Sequence, residues 1–138
     1  MRNISVIYAT DERGGMIFNK RRVSRDKLVT KDIVDTICGK IYISEYSRIL
    51  FEEYPDRVTV CANPLLDAPD GAVCFVEFPP ILPYVADISR ITVYNWNRRY
   101  PFELCIDISP KELGFRSVSV SEFVGNAHEK ITKEIFER

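Results

Sequence analysis

DTICGKIYISEYSRILFEEYPDRVTVCA, from Asp35 to Ala62, reads as the tail of an amphipathic helix followed by strand, short helix and strand. Its two apolar runs, Lys40 to Ser44 and Arg57 to Ala62, are rich in β-branched residues, and the helical segment between them, Ser47 to Tyr54, is ended by Pro55. Upstream, Leu28, Val29, Ile33, Val34 and Ile37 recur at helical spacing, with Ser24 placed as N-cap and Gly39 at the C-terminal end. Further upstream, Ile4 to Ala9 (ISVIYA) has the composition of a central strand buried on both faces. The order β-α-β-α-β predicts right-handed crossovers and an α/β fold with a largely parallel sheet.

Between the first strand and the first helix lies DERGGMIFNKRR, where Gly14 and Gly15 mark a turn or mobile loop. Downstream, Ala72 to Phe78 (AVCFVEF) and Arg90 to Trp96 (RITVYNW) are further strands, joined by a connector too short for a long helix. FRSVSVSEFV, Phe115 to Val124, alternates polar and apolar residues and predicts an antiparallel strand near a sheet edge with one wet face. The last segment is ambiguous: Asn126 and Glu129 resemble a capping box, and Ile131 and Ile135 suit a helix face, yet VGNA is also an adequate hairpin turn. Local signals fit the helix somewhat better.

The 138 residues suffice for one domain, 1–138, that needs no metal or disulfide to fold. Apolar residues at 46% and charged residues at 28% argue against a disordered or fibrous chain, and a formal net charge of -1 removes any global case for nucleic acid. Cys38, Cys61, Cys74 and Cys105 form no C-x-x-C pair and His128 is the only histidine, so the expectation is buried free thiols and no metal. With no apolar signal core and no run near the roughly 20 apolar residues of a membrane span, a cytoplasmic protein without a membrane partner is expected. His128 lies in a polar segment and is expected to be exposed, with no Ser-His-Asp arrangement to support.

Several strings together resemble dihydrofolate reductase. SVIYATDERGGMI resembles that family's opening strand and substrate-covering loop, DTICGKIYIS its first helix end and second strand, YPDRVTV its P-G-R and strand, and ILPYVADISRITVYNW its L-P-x-A-D-x-L-Y-L-T. FELCIDIS and EIFER are similar to its C-terminal hairpin. The resemblance implies a central mixed, mostly parallel sheet flanked by helices, with an antiparallel C-terminal hairpin, and it assigns the last segment, Lys130 to Glu137, to a strand paired with Arg116 to Val124.

The departures fall at functional positions. Where the family holds the cofactor pyrophosphate on a glycine pair and a helix N-terminus, this chain has Val76-Glu77-Phe78-Pro79. Where its G-R-x-T arginine pairs the cofactor phosphate, this chain has Ser44-Glu45-Tyr46-Ser47. The family's carboxylic acid on the first helix aligns with Leu28, leaving Asp26 or Asp32 as the acid if the chain is active, and Tyr94 stands for a folate-contacting threonine. Arg57 alone keeps a ligand-facing role, pairing the substrate's glutamyl carboxylate.

Two clusters stand outside the resemblance. Lys20, Arg21, Arg22, Arg25 and Lys27 surround the single acid Asp26, and Trp96, Arg98, Arg99 and Tyr100 have the composition of a protein-contact surface. The reading is a reductase-like protein that has lost NADPH-dependent reduction, holds no cofactor, and acts as a binding, regulatory or structural module whose partner is another protein. The alternative is a divergent NADPH-dependent reductase of dihydrofolate or a related pterin or pyrimidine.

Overall fold

The computed structural model describes residues 2–138. At its centre β1 (Ile4–Thr10) runs parallel to β6 (Val73–Phe75) on one side and β7 (Ile88–Asn95) on the other. Beyond β6 lie β4 (Ile41–Ile43) and β5 (Val58–Val60), also parallel. Beyond β7 lie β10 (Ile131–Glu137) and β9 (Arg116–Phe123), both pairings antiparallel. The sheet order is β5-β4-β6-β1-β7-β10-β9, so the C-terminal segment is a strand and forms the expected hairpin with β9. Helix signals there lose because β10 is sandwiched between two strands and buries Ile131 and Phe136.

β1 explains why the sheet can be central. Ile4, Val6 and Tyr8 enter one apolar core with Ile81, Ile88, Ile91 and Phe136, while Ile7 faces a second core with Ile33, Ile41, Phe51, Phe75 and Tyr94. Alternate side chains of one strand therefore nucleate both layers.

α1 (Lys27–Thr36) begins two residues later than an N-cap at Ser24 predicts, because Asp26 and not Ser24 caps it, its carboxylate accepting from the Leu28 amide at 2.9 Å. Val29, Thr30, Ile33 and Val34 form its buried face, whereas Leu28 points outward and is 38% exposed. The segment expected to be a helix from Ser47 to Tyr54 is a 3-10 turn over Glu45–Phe51, and Arg57 sits in a second such turn before β5. A third, Leu82–Asp87, fills the short connector ahead of β7.

The stretch read as a turn or loop is ordered as a small sheet: β2 (Gly15–Phe18) pairs with β3 (Arg21–Arg22) and with β8 (Leu104–Cys105). Asn19 and Lys20 both take positive φ, the two-residue turn geometry that matches strand twist. Asp11 secures the entry, its carboxylate accepting from the Arg13 and Gly15 amides at 2.8 and 2.7 Å. Two further expectations need correction. Only Cys74 among the cysteines is buried, with its thiol pushed up to about 12 chiefly by burial, while Cys38 and Cys105 are exposed. β9 is an edge strand exposed on both faces, since no layer covers the side bearing Val118 and Val120.

These exposures make a contrast that urea denaturation can check. Ile91→Ala empties a fully buried position and is expected to cost about 2–5 kcal/mol. Val120→Thr should change stability by less than about 0.5 kcal/mol. A large loss for the second variant would mean that the outer face of β9 is covered.

Candidate functional site

At the N-terminus of α1 the chain wraps a single carboxylate. Asp26 Oδ1 accepts from the Leu28 and Asn126 amides at 2.9 and 2.8 Å, and Oδ2 accepts from the Ala127 amide and from His128 Nδ1, both at 2.8 Å. The Asp26 side chain is fully buried and that of His128 nearly so. Burial by itself would push the Asp26 carboxyl up, but the bonds from His128, Asn126, Ala127 and Leu28 outweigh it and hold the group below the ordinary carboxylate range. Gly125 is required beside it, because a Cβ there would stand 2.5 Å from Asp26 Oδ2. His128, expected at the surface, instead stacks on Trp96 with ring centroids 4.6 Å apart and places Nε2 2.7 Å from Ser24 Oγ. Tyr100 brings its hydroxyl within 3.4 Å of Ser24 Oγ and 3.2 Å of Nε2.

A cavity opens beside this group, lined in part by Ala9, Met16, Val29, Phe75 and Trp96, with Arg22 and Glu77 on its polar side. It admits the centres of water molecules over only about 30 Å³, room for one or two waters. The reason is a buried ion pair. Arg22, carried inward by β3, meets Glu77 through two bonds, Nε to Oε1 at 2.6 Å and Nη2 to Oε2 at 3.1 Å. Ser47 Oγ donates to Glu77 Oε2 at 2.6 Å, and the Arg22 guanidinium lies 4.5 Å from the centre of the Tyr46 ring. Glu77 is therefore neutralised and not a bare repelling charge, and Arg22 leaves the basic patch expected around Asp26.

The amides that follow Pro79 and Pro80 are also spoken for. Ile81 and Leu82 open the 3-10 turn after β6, and their N–H groups donate to Asp107, Ile81 N to Oδ2 at 2.9 Å and Leu82 N to Oδ2 at 2.9 Å.

The remaining predicted residues scatter. Asp32 lies on the sheet-facing side of α1, away from the cavity, accepting from Tyr94 Oη at 2.5 Å and Lys133 Nζ at 2.7 Å. Burial first, and the bond to Asp32 second, push the Tyr94 hydroxyl well up. Arg57 caps the end of α1, donating to the carbonyls of Val34, Ile37 and Gly39. Glu45 is exposed and pairs with Arg48. The loop cluster divides: Trp96 is buried and Tyr100 half-buried against His128, while Arg98 and Arg99 stay exposed, Arg99 near Glu12. The aromatic rings turn inward because an imidazole and the second core offer them contact that solvent does not. No group of three or more His, Cys, Asp or Glu side chains suited to a metal converges among the described residues.

The architecture has a counterpart among solved structures. Dihydrofolate reductase from Enterococcus faecalis, complexed with NADP(H) and RAB-propyl, matches over 99% of this chain and 96% of its own with a TM-score of 0.66, at 12% sequence identity. The chain has the dihydrofolate reductase fold. No protein-family model matches the sequence, and no curated protein does. Within that fold, the elements identified from strings in the sequence lie along the whole chain, from β1 to the β9–β10 hairpin. Among the described residues no helix is long and apolar enough to cross a membrane.

Sequence reasoning missed the contacts of Ser24, Asp107 and His128. Asp26 and His128 are separated by 102 positions, and no local spacing announces the pair. Asp26 itself carries a pH signature. A carboxyl whose folded pKa is depressed contributes stability that is complete above its unfolded value of about 3.9 and is lost as pH falls through the folded value. Asp26→Asn should therefore lower stability at neutral pH by about 1–3 kcal/mol and flatten the loss seen below about pH 4. Denaturation midpoints across that range will tell, and an acid limb equally steep in the variant would contradict the assignment.

Proposed function

We propose that this chain uses the dihydrofolate reductase fold as a binding, regulatory or structural module and does not carry out NADPH-dependent reduction. The observation that supports it is the Asp107 carboxylate seated on the Ile81 and Leu82 amides. In the resemblance drawn from the sequence, the place where a reductase holds the cofactor pyrophosphate is Val76-Glu77-Phe78-Pro79, and these amides are the first N–H groups after its two prolines. A phosphate arriving there would have to displace an internal anion that already has its hydrogen bonds, and it would meet like charge. The Arg22–Glu77 pair adds to the case by filling the adjoining cavity to the volume of a water or two. An extended pterin or nicotinamide ring would have to break a buried, bidentate ion pair to enter.

The partner is proposed to be another protein in the cytoplasm, contacted through the exposed half of the loop cluster, Arg98 and Arg99. Nucleic acid is not favoured at a net charge of -1. The alternative, a divergent reductase of dihydrofolate or a related pterin or pyrimidine with Asp26 or Asp32 as acid, draws on the fold. Asp26 suits that role poorly, since all four of its acceptor sites are filled, and Asp32 does not line the cavity.

Titrating NADPH while following the fluorescence of the buried Trp96 tests the reading. Each charge-assisted phosphate contact is worth about 1.5–3 kcal/mol, and losing two moves a micromolar affinity to millimolar or weaker. No saturable change below about 1 mM is expected. Micromolar binding, or turnover of dihydrofolate, would overturn the proposal in favour of the reductase.

A further inference from the structure

We propose that Ser24 is an acyl-accepting nucleophile through which this chain hydrolyses small carboxylic esters, with His128 as its general base and Asp26 as the residue that positions His128. The proposal goes beyond the reading above, because it concerns acyl transfer and needs no cofactor.

The geometry is a nucleophile within hydrogen-bond reach of a base that is itself oriented by a third group: Ser24 Oγ to His128 Nε2 at 2.7 Å, and His128 Nδ1 to Asp26 Oδ2 at 2.8 Å. The protons can be assigned. An ionised carboxylate only accepts, so Nδ1 carries a proton; in the form of the ring that acts as base, Nε2 is bare and accepts from the Ser24 hydroxyl. Tyr100 Oη lies 3.4 Å from Ser24 Oγ and 3.2 Å from Nε2; when it donates to Ser24 Oγ, the serine's own proton is left for His128. The imidazole cannot swing away, being stacked on Trp96 and buried.

Nothing else in the fold uses the Ser24 hydroxyl. Asp26 already performs the capping of α1, and the bonds of Ser24 Oγ among the described residues run to His128 and Tyr100 alone. Ser24 is half-buried and lines the apolar cavity of Ala9, Met16, Val29, Phe75 and Trp96, whose small volume suits an acyl group of acetyl size. The amide of Arg25, next in the chain after the nucleophile, makes no hydrogen bond among the described residues. It precedes the N-terminus of α1, and in this proposal it is the donor assigned to the oxyanion.

The step balances without an added oxidant or reductant. Ser24 Oγ adds to the ester carbonyl carbon while Nε2 takes the hydroxyl proton; the adduct collapses, the bond to the alcohol oxygen breaks, and Nε2 returns the proton to the leaving alcohol. Water then repeats the sequence on the acyl-serine, releasing the carboxylic acid and restoring Ser24.

The test uses the full chain and an alkyl fluorophosphonate, which forms an Oγ–P bond and expels fluoride only at an activated serine. Intact mass and peptide mapping should find one adduct per chain, on Ser24. Ser24→Ala, which removes one oxygen, should give none, and Val120→Thr, on the exposed β9, should still label. Asp26→Asn and His128→Gln should each slow labelling of the folded fraction by about 10²–10⁴-fold, a readout that a purely structural role would leave unmoved. p-Nitrophenyl acetate should be hydrolysed by the wild type and not by Ser24→Ala. No adduct on folded wild-type protein, adducts elsewhere that survive in Ser24→Ala, or wild-type labelling rates in His128→Gln would overturn the proposal. None of these outcomes depends on whether NADPH binds.

Discussion

Asp26 places a negative charge where almost no water reaches, and everything around it is arranged to make that tolerable. An isolated buried carboxylate costs several kcal/mol, so the fold supplies four donors, three from backbone and one from His128. Those donors come from the first turn of α1 and from the turn between β9 and β10, segments at opposite ends of the chain. Satisfying the charge thus fixes where α1 starts, docks the C-terminal hairpin against it and orients His128 over Trp96. Gly125 has no side chain because the carboxylate approaches too closely for one.

The same economy of charge recurs across the sheet. Arg22 and Glu77 bury each other in the cavity next to Asp26, and Asp107 occupies the amides that follow the two prolines. In each case a group that could hold a ligand is satisfied by a side chain of the protein itself. The Enterococcus faecalis structure of the same fold is complexed with NADP(H); in this chain the Arg22 guanidinium and the Ile81 and Leu82 amides are bonded to the chain's own carboxylates. Closure of this kind stabilises the resting structure and raises the cost of admitting a ligand by the same interactions.

The succession of strands along the chain was legible because β1, β4, β5, β6 and β7 are β-branched runs separated by unmistakable breaks at Gly39, Pro55 and the prolines after Phe78. Their apolar character survives any error in boundary. The helix start was misplaced because Ser24 and Asp26 are both good caps, and only the turn at Asn126 and Ala127 selects between them. The hairpin at Asn19-Lys20 was hidden because its turn lacks the glycine that usually announces positive φ. At the site, local reading failed where partners are remote: Trp96 beside Arg98 and Arg99 reads as a contact surface, but a histidine 32 positions later, by the difference of 128 and 96, draws the ring inward. Glu45 and Glu77 read alike as repelling acids, yet only Glu77 has an arginine delivered to it by a strand that the sequence did not announce.

Amide hydrogen exchange tests most directly whether the chain's own carboxylates occupy these positions. Leu28, Ile81, Leu82, Asn126 and Ala127 lie outside the strands of the main sheet, and without acceptors their amides would exchange within seconds of transfer to deuterium. The account predicts protection comparable to that of neighbouring strand amides, lost at Leu28, Asn126 and Ala127 in Asp26→Ala and at Ile81 and Leu82 in Asp107→Ala. Rapid exchange of these five amides in the wild-type chain would contradict it.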